Sequence, residues 1–213
     1  MNTTWRFIDT SNLTARENME LDESLLDLNE PVFRLYTWKE DSFTIGRFQK
    51  FEEIENIERF GSNWAKRITG GGLLLHGFDV SYTIILPVEL LGKKSVKESY
   101  EYLCSFLLHF YKTIGLHVKY AKDIIPETLS KSQFCQVGFE PYDMIYKGKK
   151  LGGNAQKRTK KLIHQHGSIP LKHDNREYAG YSLEEFGIDI SPLKAKELLK
   201  KSFAETFKTI KFV

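Results

Sequence analysis

The sequence predicts an α+β fold in which helices pack on one mixed β-sheet. Predicted strands and helices are interspersed along the 213 residues without the strict strand–helix alternation of a parallel α/β protein. Hydrophobic residues make up 41% of the chain, which is enough for an ordinary core and too much for a disordered protein. No linker, repeat or low-complexity segment interrupts the chain, so we expect a single domain over residues 1–213.

The first part of the chain predicts short strands and two helices. Segments rich in β-branched and aromatic residues predict strands at "RFIDT", "VFRLYTW" and "DSFTIGRF". Apolar residues at helical spacing predict a helix over 12–28. Residues 51–60, "FEEIENIERF", predict a short helix with charged residues at its exposed positions.

The rest of the chain continues the same pattern. The strongest strand candidate is "DVSYTIILPV", and residues 95–115 form an amphipathic pattern that ends at a glycine, which predicts a helix. A hairpin is expected around Lys147-Gly148. Further strands are predicted at "HVKYA" and "IHQHGSIPL", and one or two helices at "SPLKAKELLKKSFAETFKTI".

Composition and charge exclude several classes of protein. The net charge is only +3, so total charge gives no indication of nucleic-acid binding. Two cysteines without a CxxC pair indicate neither a disulfide framework nor a zinc site. The apolar runs are far shorter than the roughly 20 residues of a membrane span, and the N-terminus lacks the apolar core of a signal peptide. We therefore expect a soluble cytoplasmic protein.

The stretch "RITGGGLLLH", Arg67–His76, places three glycines beside an arginine. Glycines let a ligand touch backbone N–H groups, and arginine offers a fork of donors for a carboxylate or phosphate. This favours an anion- or acyl-binding loop. A flexible strand connection explains the stretch equally well, because a glycine-rich pattern alone is a weak signal.

Four further motifs give this loop its context. In chain order, "GRFQ" precedes the loop, and "SYTIILP", "GKKLGGNAQKR" and "HQHG" follow it. With these motifs the chain resembles the lipoate-protein ligase and octanoyltransferase family, relatives of the biotin protein ligases, from about residue 5 to about residue 205. The resemblance implies a central mixed, largely antiparallel β-sheet flanked by helices. It also implies transfer of an octanoyl or lipoyl group to a lysine of a lipoyl domain or of the glycine-cleavage H protein.

The resemblance also implies the residues of the site. Lys150 precedes "LGGNAQ" and would contact the acyl carbonyl oxygen, where an ammonium stabilises a developing oxyanion. A slip of one residue would make Lys149 the catalytic lysine instead. The residues expected to bind substrate are Arg67, Gly70, Gly71, Gly72, His76, Tyr82, Gly153, Asn154, Ala155, His166 and Gly167.

Cys135 lies fifteen positions before Lys150, which resembles the octanoyltransferase branch with its nucleophilic cysteine in this loop. A thiol suits the chemistry, because a free cysteine with a pKa of about 8.5 is already partly thiolate near neutral pH. Cys104 lies in an apolar helix and is expected to be an inert core residue. The other octanoyltransferase branch would carry its cysteine near Arg176–Ser182, where this chain has none.

Two histidines, His164 and His166, share one face of a predicted strand, as metal ligands often do. No third ligand is evident at a suitable spacing, so we expect no metal. His76 is expected to hold the glycine loop or to line the pocket. His164 and His166 are expected to support the Lys150 hairpin, and the lysines of "KRTKK" to form a solvated turn or to meet an acidic partner.

These expectations leave three functions open. The first is a transferase that uses octanoyl-acyl carrier protein through a Cys135 thioester and needs no cofactor, with a lipoyl amidotransferase between lipoylated proteins as a close variant. The second is an ATP- and Mg-dependent lipoate-protein ligase, which commonly carries a C-terminal accessory domain that we do not expect here. The third is a non-enzymatic module that binds lipoyl domains or acyl ligands without turnover. The lipoyl domains expected as partners are those of 2-oxoacid dehydrogenases. Nucleic acid and membrane are not expected partners.

Overall fold

The computed structural model describes residues 3–124, 140–174, 176, 180–208 and 210–213. Its helices are α1 (Ala15–Ser24), α2 (Val96–Thr113) and α3 (Pro192–Phe207). Its strands are β1 (Thr3–Leu13), β2 (Val32–Trp38), β3 (Ser42–Ile45), β4 (Asn63–Lys66), β5 (Leu74–Leu75), β6 (Asp79–Pro87), β7 (Lys119–Tyr120), β8 (Met144–Tyr146), β9 (Lys149–Lys150), β10 (Gly153–Arg158), β11 (Leu162–Pro170) and β12 (Ile210–Phe212).

The main sheet has six strands in the order β10-β11-β6-β2-β1-β12. The pairs β10–β11, β11–β6 and β2–β6 are antiparallel, whereas β1 pairs in parallel with β2 and β12. All nine residues of β6 are buried, which explains its nearly continuous apolar run. The expected α+β fold with a mixed, largely antiparallel sheet is confirmed.

Helices α2 and α3 pack against each other, and α3 also contacts β2 and β6. At the centre of this core, the rings of Phe33 and Phe203 stack with centroids 3.8 Å apart. A capping box between Ser95 and Glu98 begins α2, and Gly115 with a φ of +85° follows its end, as the sequence predicts. Within the described residues no helix has both the length and the apolar character to cross a membrane.

Three predicted elements differ from the structure. Residues 51–60 form two 3-10 turns, Phe51–Glu53 and Ile57–Phe60, because Asn56 adopts a left-handed conformation that interrupts the helix. The predicted strand at 117–121 is reduced to the two residues of β7. The chain ends in a strand, β12, that the helical pattern over 191–210 did not indicate.

Two small sheets position the predicted site. The strands β4-β3-β5 hold the glycine loop between β4 and β5, and β7-β8-β9 contains the predicted hairpin. Lys147 and Gly148 both have positive φ values, +48° and +75°, which is the geometry of a tight hairpin turn. This turn pairs Ile145 with Lys150 and thereby fixes which lysine points inward.

Candidate active site

A pocket of about 670 Å³ opens between the glycine loop, the segment before β8 and the start of β10. Strand pairing brings the distant motifs together here, because β10 lies beside β11 and β11 lies beside β6. The pocket is lined by most of the residues expected from the sequence, namely Arg67, Gly70, Gly71, Gly72, His76, Lys150, Gly153, Asn154, Ala155, His166 and Gly167.

Two expected residues stand apart from this lining. Tyr82 is completely buried and reaches the site indirectly, because its hydroxyl donates to Oδ1 of Asn154 at 2.7 Å. Cys135 lies outside the described residues. Its role therefore stays a prediction. Cys104 is buried in the main core, as expected, and burial raises the pKa of its thiol, so it is uncharged at neutral pH.

The guanidinium of Arg67 holds the glycine loop in shape. Its Nη1 donates to Oγ1 of Thr44 at 2.7 Å, and its Nη2 donates to the carbonyl of Gly72 at 2.7 Å and to that of Gly70 at 3.3 Å. Gly71, between these carbonyls, has a φ of +96° that a residue with a side chain adopts only with strain. The loop is therefore an ordered wall of the pocket, and the hydrogen bonds of Arg67 hold its shape.

The ring of His76 is braced on three sides. Nε2 lies 2.9 Å from Oγ1 of Thr44, Nδ1 lies 3.0 Å from Oδ2 of Asp79, and the ring stacks on Trp38 with centroids 3.7 Å apart. Burial lowers the pKa of His76 and outweighs the opposing effect of the Asp79 carboxylate, so the imidazole is neutral at pH 7. His76 is thus a neutral, hydrogen-bonded residue that lines the pocket.

His166 joins the glycine loop to β11. Its Nε2 lies 2.6 Å from Oγ1 of Thr69. Burial lowers the pKa of His166 well below its usual value, and the nearby His164 and Arg67 lower it further. His166 is therefore a neutral hydrogen-bonding group on the pocket wall. The expected support of the Lys150 hairpin by His164 and His166 stays a prediction.

The structure places Asp22, a residue of a kind that can bind metal ions, beside His164 and His166, which the sequence did not reveal. Asp22 of α1 lies with His164 and His166 so that their ligand atoms are all within 4.8 Å of one another. The Asp22 carboxylate already forms an ion pair with Arg34 at 2.6 Å and accepts a hydrogen bond from Thr83 at 2.6 Å. Burial alone would raise the pKa of Asp22, but the neighbouring His164 and Arg34 hold it below its ordinary value. The carboxylate charge is thus compensated without a metal.

Lys150 and its neighbour Lys149 have opposite environments. The Lys150 side chain is 5% exposed, lines the pocket, and places Nζ 2.6 Å from Oδ2 of Asp143. Lys149 is exposed on the other face of the hairpin and donates to the hydroxyl of Tyr181 at 2.5 Å. Because successive side chains of a strand point to opposite faces, Lys149 points away from the pocket that Lys150 lines.

The pocket also has an apolar part. Its remaining lining is rich in apolar and aromatic side chains, which suit the hydrocarbon part of an acyl chain. The rings of Tyr100 and Tyr142 stack with centroids 4.9 Å apart on one side. This part of the lining includes Met19, Tyr36, Trp38, Leu74, Tyr100 and Tyr142.

Comparison with known proteins finds relatives over most of the chain. Residues 14–191 match the family described as the lipoyl protein ligase A/B catalytic domain. The chain is 32% identical over 216 residues to octanoyltransferase LipM of Oceanobacillus iheyensis, covering 97% of this chain and 76% of that protein. It is 33% identical over 183 residues to octanoyltransferase LipM of Staphylococcus aureus, covering 79% of this chain and 66% of that protein.

Solved structures share the fold. A lipoate-protein ligase A bound with ATP superimposes with a TM-score of 0.78 at 19% identity, covering 100% of this chain and 88% of that chain. A bipartite lipoate protein ligase from Thermoplasma acidophilum, studied with its E2 lipoyl domain, gives a TM-score of 0.75 at 18% identity and covers 99% of this chain and 86% of that chain. At these identities the similarity shows the architecture alone.

Proposed function

Because the chain belongs to the lipoyl protein ligase A/B catalytic-domain family, we propose that this acyltransferase moves an octanoyl group from acyl carrier protein to a lysine of a lipoyl domain or of the glycine-cleavage H protein. The observation that carries the proposal is the position of Lys150, whose ammonium is buried at the wall of a pocket with an apolar lining. Relatives at about a third identity are named octanoyltransferases, which favours this donor and acyl group.

The proposed reaction has two steps. First, the Cys135 thiolate attacks the carbonyl of the octanoyl thioester, a new C–S bond forms, and the carrier leaves as a thiolate that takes up a proton. Second, the neutral amine of the acceptor lysine attacks the enzyme thioester, an amide bond forms, and Cys135 leaves as thiolate while the amine loses a proton. Because a thioester donor is already activated, the proposal requires no ATP and no cofactor.

Lys150 stabilises negative charge on the acyl carbonyl oxygen in both steps. Each attack places negative charge on the carbonyl oxygen, and an ammonium already fixed at the pocket wall stabilises that charge without reorganising. The neutral imidazoles of His76 and His166 keep the walls in place and add no competing positive charge.

The ligase chemistry is the second candidate, because the matched family is described as the lipoyl protein ligase A/B catalytic domain. In that case the glycine loop would hold an acyl-adenylate, and Lys150 would face its activated carbonyl. A transferase that takes lipoyl groups from lipoylated proteins is the remaining variant, and it differs from the first proposal only in the donor.

A basic surface near the pocket suits an acidic partner. Lys97, at the start of α2, is exposed and lines the pocket mouth. Lys160 and Lys161 are exposed at the turn between β10 and β11. Nη1 of Arg158 donates to the carbonyl of Lys94 at 3.1 Å, which joins the end of β10 to the segment just before α2. We propose that this surface accelerates encounter with an acyl carrier protein or lipoyl domain.

The test is intact-protein mass spectrometry. The purified chain is mixed with octanoyl-acyl carrier protein in the absence of ATP, beside Cys135→Ser and Cys104→Ser variants. The proposal predicts one octanoyl adduct on the wild type and on Cys104→Ser, removable by hydroxylamine, and none on Cys135→Ser. If no adduct forms, but a lipoyl domain is modified once free acid, ATP and Mg are supplied, the protein is a ligase.

A further inference from the structure

Among the described residues, Asp143 forms an ion pair with Lys150, a contact of the proposed catalytic lysine that the sequence did not suggest. We propose that Asp143 is the positioning residue of Lys150, and that its carboxylate holds the ammonium at the pocket wall so that protonating Asp143 disables acyl transfer. The inference rests on the proposed function, because it concerns the same lysine.

The hairpin geometry places these two side chains together. The register of β8 and β9 pairs Ile145 with Lys150, and the amide of Leu151 donates to the carbonyl of Met144 at 2.8 Å. Asp143 directly precedes β8, so it lies diagonally across the hairpin from Lys150. Lys150 Nζ reaches its Oδ2 at 2.6 Å, which is a short charge-assisted hydrogen bond.

The carboxylate itself is held by the backbone. The amide of Glu140 donates to Oδ2 of Asp143 at 2.7 Å, and the amide of Asp143 donates to the carbonyl of Glu140 at 3.0 Å. The carbonyl of Asp143 accepts from the amide of Ala121 at 2.9 Å. These hydrogen bonds hold the Asp143 carboxylate independently of Lys150. The position of the Lys150 ammonium is therefore set by a carboxylate that the backbone holds, and not by the flexible lysine side chain alone.

The charge state of Asp143 is poised near neutral pH. Burial raises the pKa of Asp143 to about 6, although the neighbouring Lys150 and the Glu140 amide hydrogen bond both lower it. The Glu140 carboxylate raises it slightly. From α2, Tyr100 and Cys104 face the pair, and both are uncharged at neutral pH because burial raises their pKa values.

The direction of the pH effect follows from these neighbours. Above about pH 6 the carboxylate is ionised and pairs with Lys150. Below that pH it takes up a proton, loses its charge and no longer holds the ammonium. Transfer is therefore expected to fall as the pH drops through about 6, and the amide of an Asp143→Asn variant mimics the protonated state at every pH.

The test separates the two steps of the reaction. Wild type, Asp143→Asn, Asp143→Glu and Asp123→Asn are loaded with octanoyl groups from octanoyl-acyl carrier protein and then mixed with a lipoyl domain from about pH 5 to about pH 8. Asp123 is the matched control, because it is an exposed aspartate whose Oδ1 lies 3.3 Å from a lysine, Lys122. Circular dichroism and thermal melting establish that each variant is folded.

We expect the wild-type rate of octanoyl transfer to fall with a midpoint near pH 6. Asp143→Asn should be slower by about 10- to 100-fold at neutral pH, as a misplaced oxyanion donor would cause, and should show no midpoint near pH 6. Asp143→Glu should recover part of the transfer rate and part of its pH dependence. Asp123→Asn should match wild type in both. A wild-type rate in Asp143→Asn, or a midpoint near pH 6 that persists in it, would overturn the inference.

A second measurement does not depend on transfer. Carbon-13 NMR of the aspartate carboxyl groups follows Asp143 in wild type and in Lys150→Met, with Asp143→Asn for assignment. The inference predicts a midpoint near pH 6 that rises when Lys150 is removed, since its charge lowers the pKa. A midpoint near the ordinary value of about 3.9 that is the same in both proteins contradicts the ion pair. If no octanoyl-enzyme forms in wild type while this titration appears as expected, the thioester proposal fails and the pairing stands.

Discussion

Oγ1 of Thr69 lies 2.6 Å from Nε2 of His166, so one hydrogen bond joins two motifs that are 97 residues apart in the chain. Thr69 belongs to the glycine loop between β4 and β5, and His166 lies in the centre of β11. Both side chains are buried. The contact therefore fixes the distance between two walls of the pocket.

Replacing Thr69 with valine keeps the shape of the side chain and removes this hydrogen bond. We expect Thr69→Val to lower the free energy of unfolding by about 1–3 kcal/mol, because a buried polar atom of His166 loses its partner. Urea denaturation measures the change. Thr113→Val is the control, since Thr113 is exposed and its hydroxyl donates to the His109 carbonyl of its own helix at 3.0 Å. Equal losses in the two variants would contradict the proposed link.

Lys150 and Lys149 provide a matched pair of substitutions at adjacent positions. Lys150→Met should slow octanoyl transfer to a lipoyl domain by about 100-fold or more, because the charge on the carbonyl oxygen loses its stabilising ammonium. Lys149→Met should leave the rate close to wild type, because that side chain points away from the pocket towards Tyr181. Single-turnover rates measure both. The reverse ranking would show that the hairpin register is wrong.

Two glycines near the pocket differ in how strictly they are required: Gly46, which follows β3, and Gly70 of the glycine loop. A Cβ atom on Gly46 would lie 1.8 Å from the carbonyl oxygen of Gly71, which is backbone and cannot rotate away. Gly46→Ala should therefore cost about 3 kcal/mol or displace the loop. On Gly70 a Cβ would meet only the Phe48 ring at 3.9 Å, so Gly70→Ala should change stability by less than about 1 kcal/mol. Thermal melting ranks the two, and a stable Gly46→Ala would contradict the close approach.

Arg34 and Asp22 form a buried ion pair, and Asp22 lies beside His164 and His166. Arg34→Met leaves the Asp22 carboxylate buried without its main counter-charge, and we expect a loss of about 3–5 kcal/mol in the free energy of unfolding at pH 7. Arg16→Met is the control, because Arg16 and Glu20 form an exposed pair 3.2 Å apart whose loss should cost about 0–1 kcal/mol.

The pH dependence of this loss gives a further check. The folded state holds the pKa of Asp22 below its unfolded value, so its contribution to stability is present above about pH 4 and declines as the pH falls towards the folded pKa. The difference between wild type and Arg34→Met should therefore narrow on acidification below about pH 4. A difference that stays constant would mean that Arg34 acts through packing alone.

Local patterns in the sequence were sufficient for several parts of the site. Turn chemistry at Lys147-Gly148 predicted the hairpin, and the period of two along its second arm then places Lys150 inside and Lys149 outside. The resemblance to the ligase and octanoyltransferase family, rather than spacing alone, predicted which residues meet around one pocket. The buried strand β6 was evident from its continuous apolar run.

Contacts between distant elements could not be predicted in this way. Asp143 and Asp22 are ordinary charged residues in the sequence, and only the hairpin register and the docking of α1 bring them against Lys150 and Arg34. The stacking of Trp38 on His76 likewise depends on β2 of the main sheet meeting the segment just after β5. These contacts depend on tertiary packing, which single-chain periodicity does not encode.

The most direct test of the central claim follows the acyl group from enzyme to acceptor. The octanoyl-enzyme is isolated free of carrier protein and ATP, mixed with an equal amount of lipoyl domain, and both masses are recorded over time. The account predicts that the octanoyl mass leaves the enzyme and appears on the lipoyl domain at the same rate, and that Lys150→Met slows both changes together. An enzyme adduct that persists while the lipoyl domain stays unmodified would contradict transfer through a thioester.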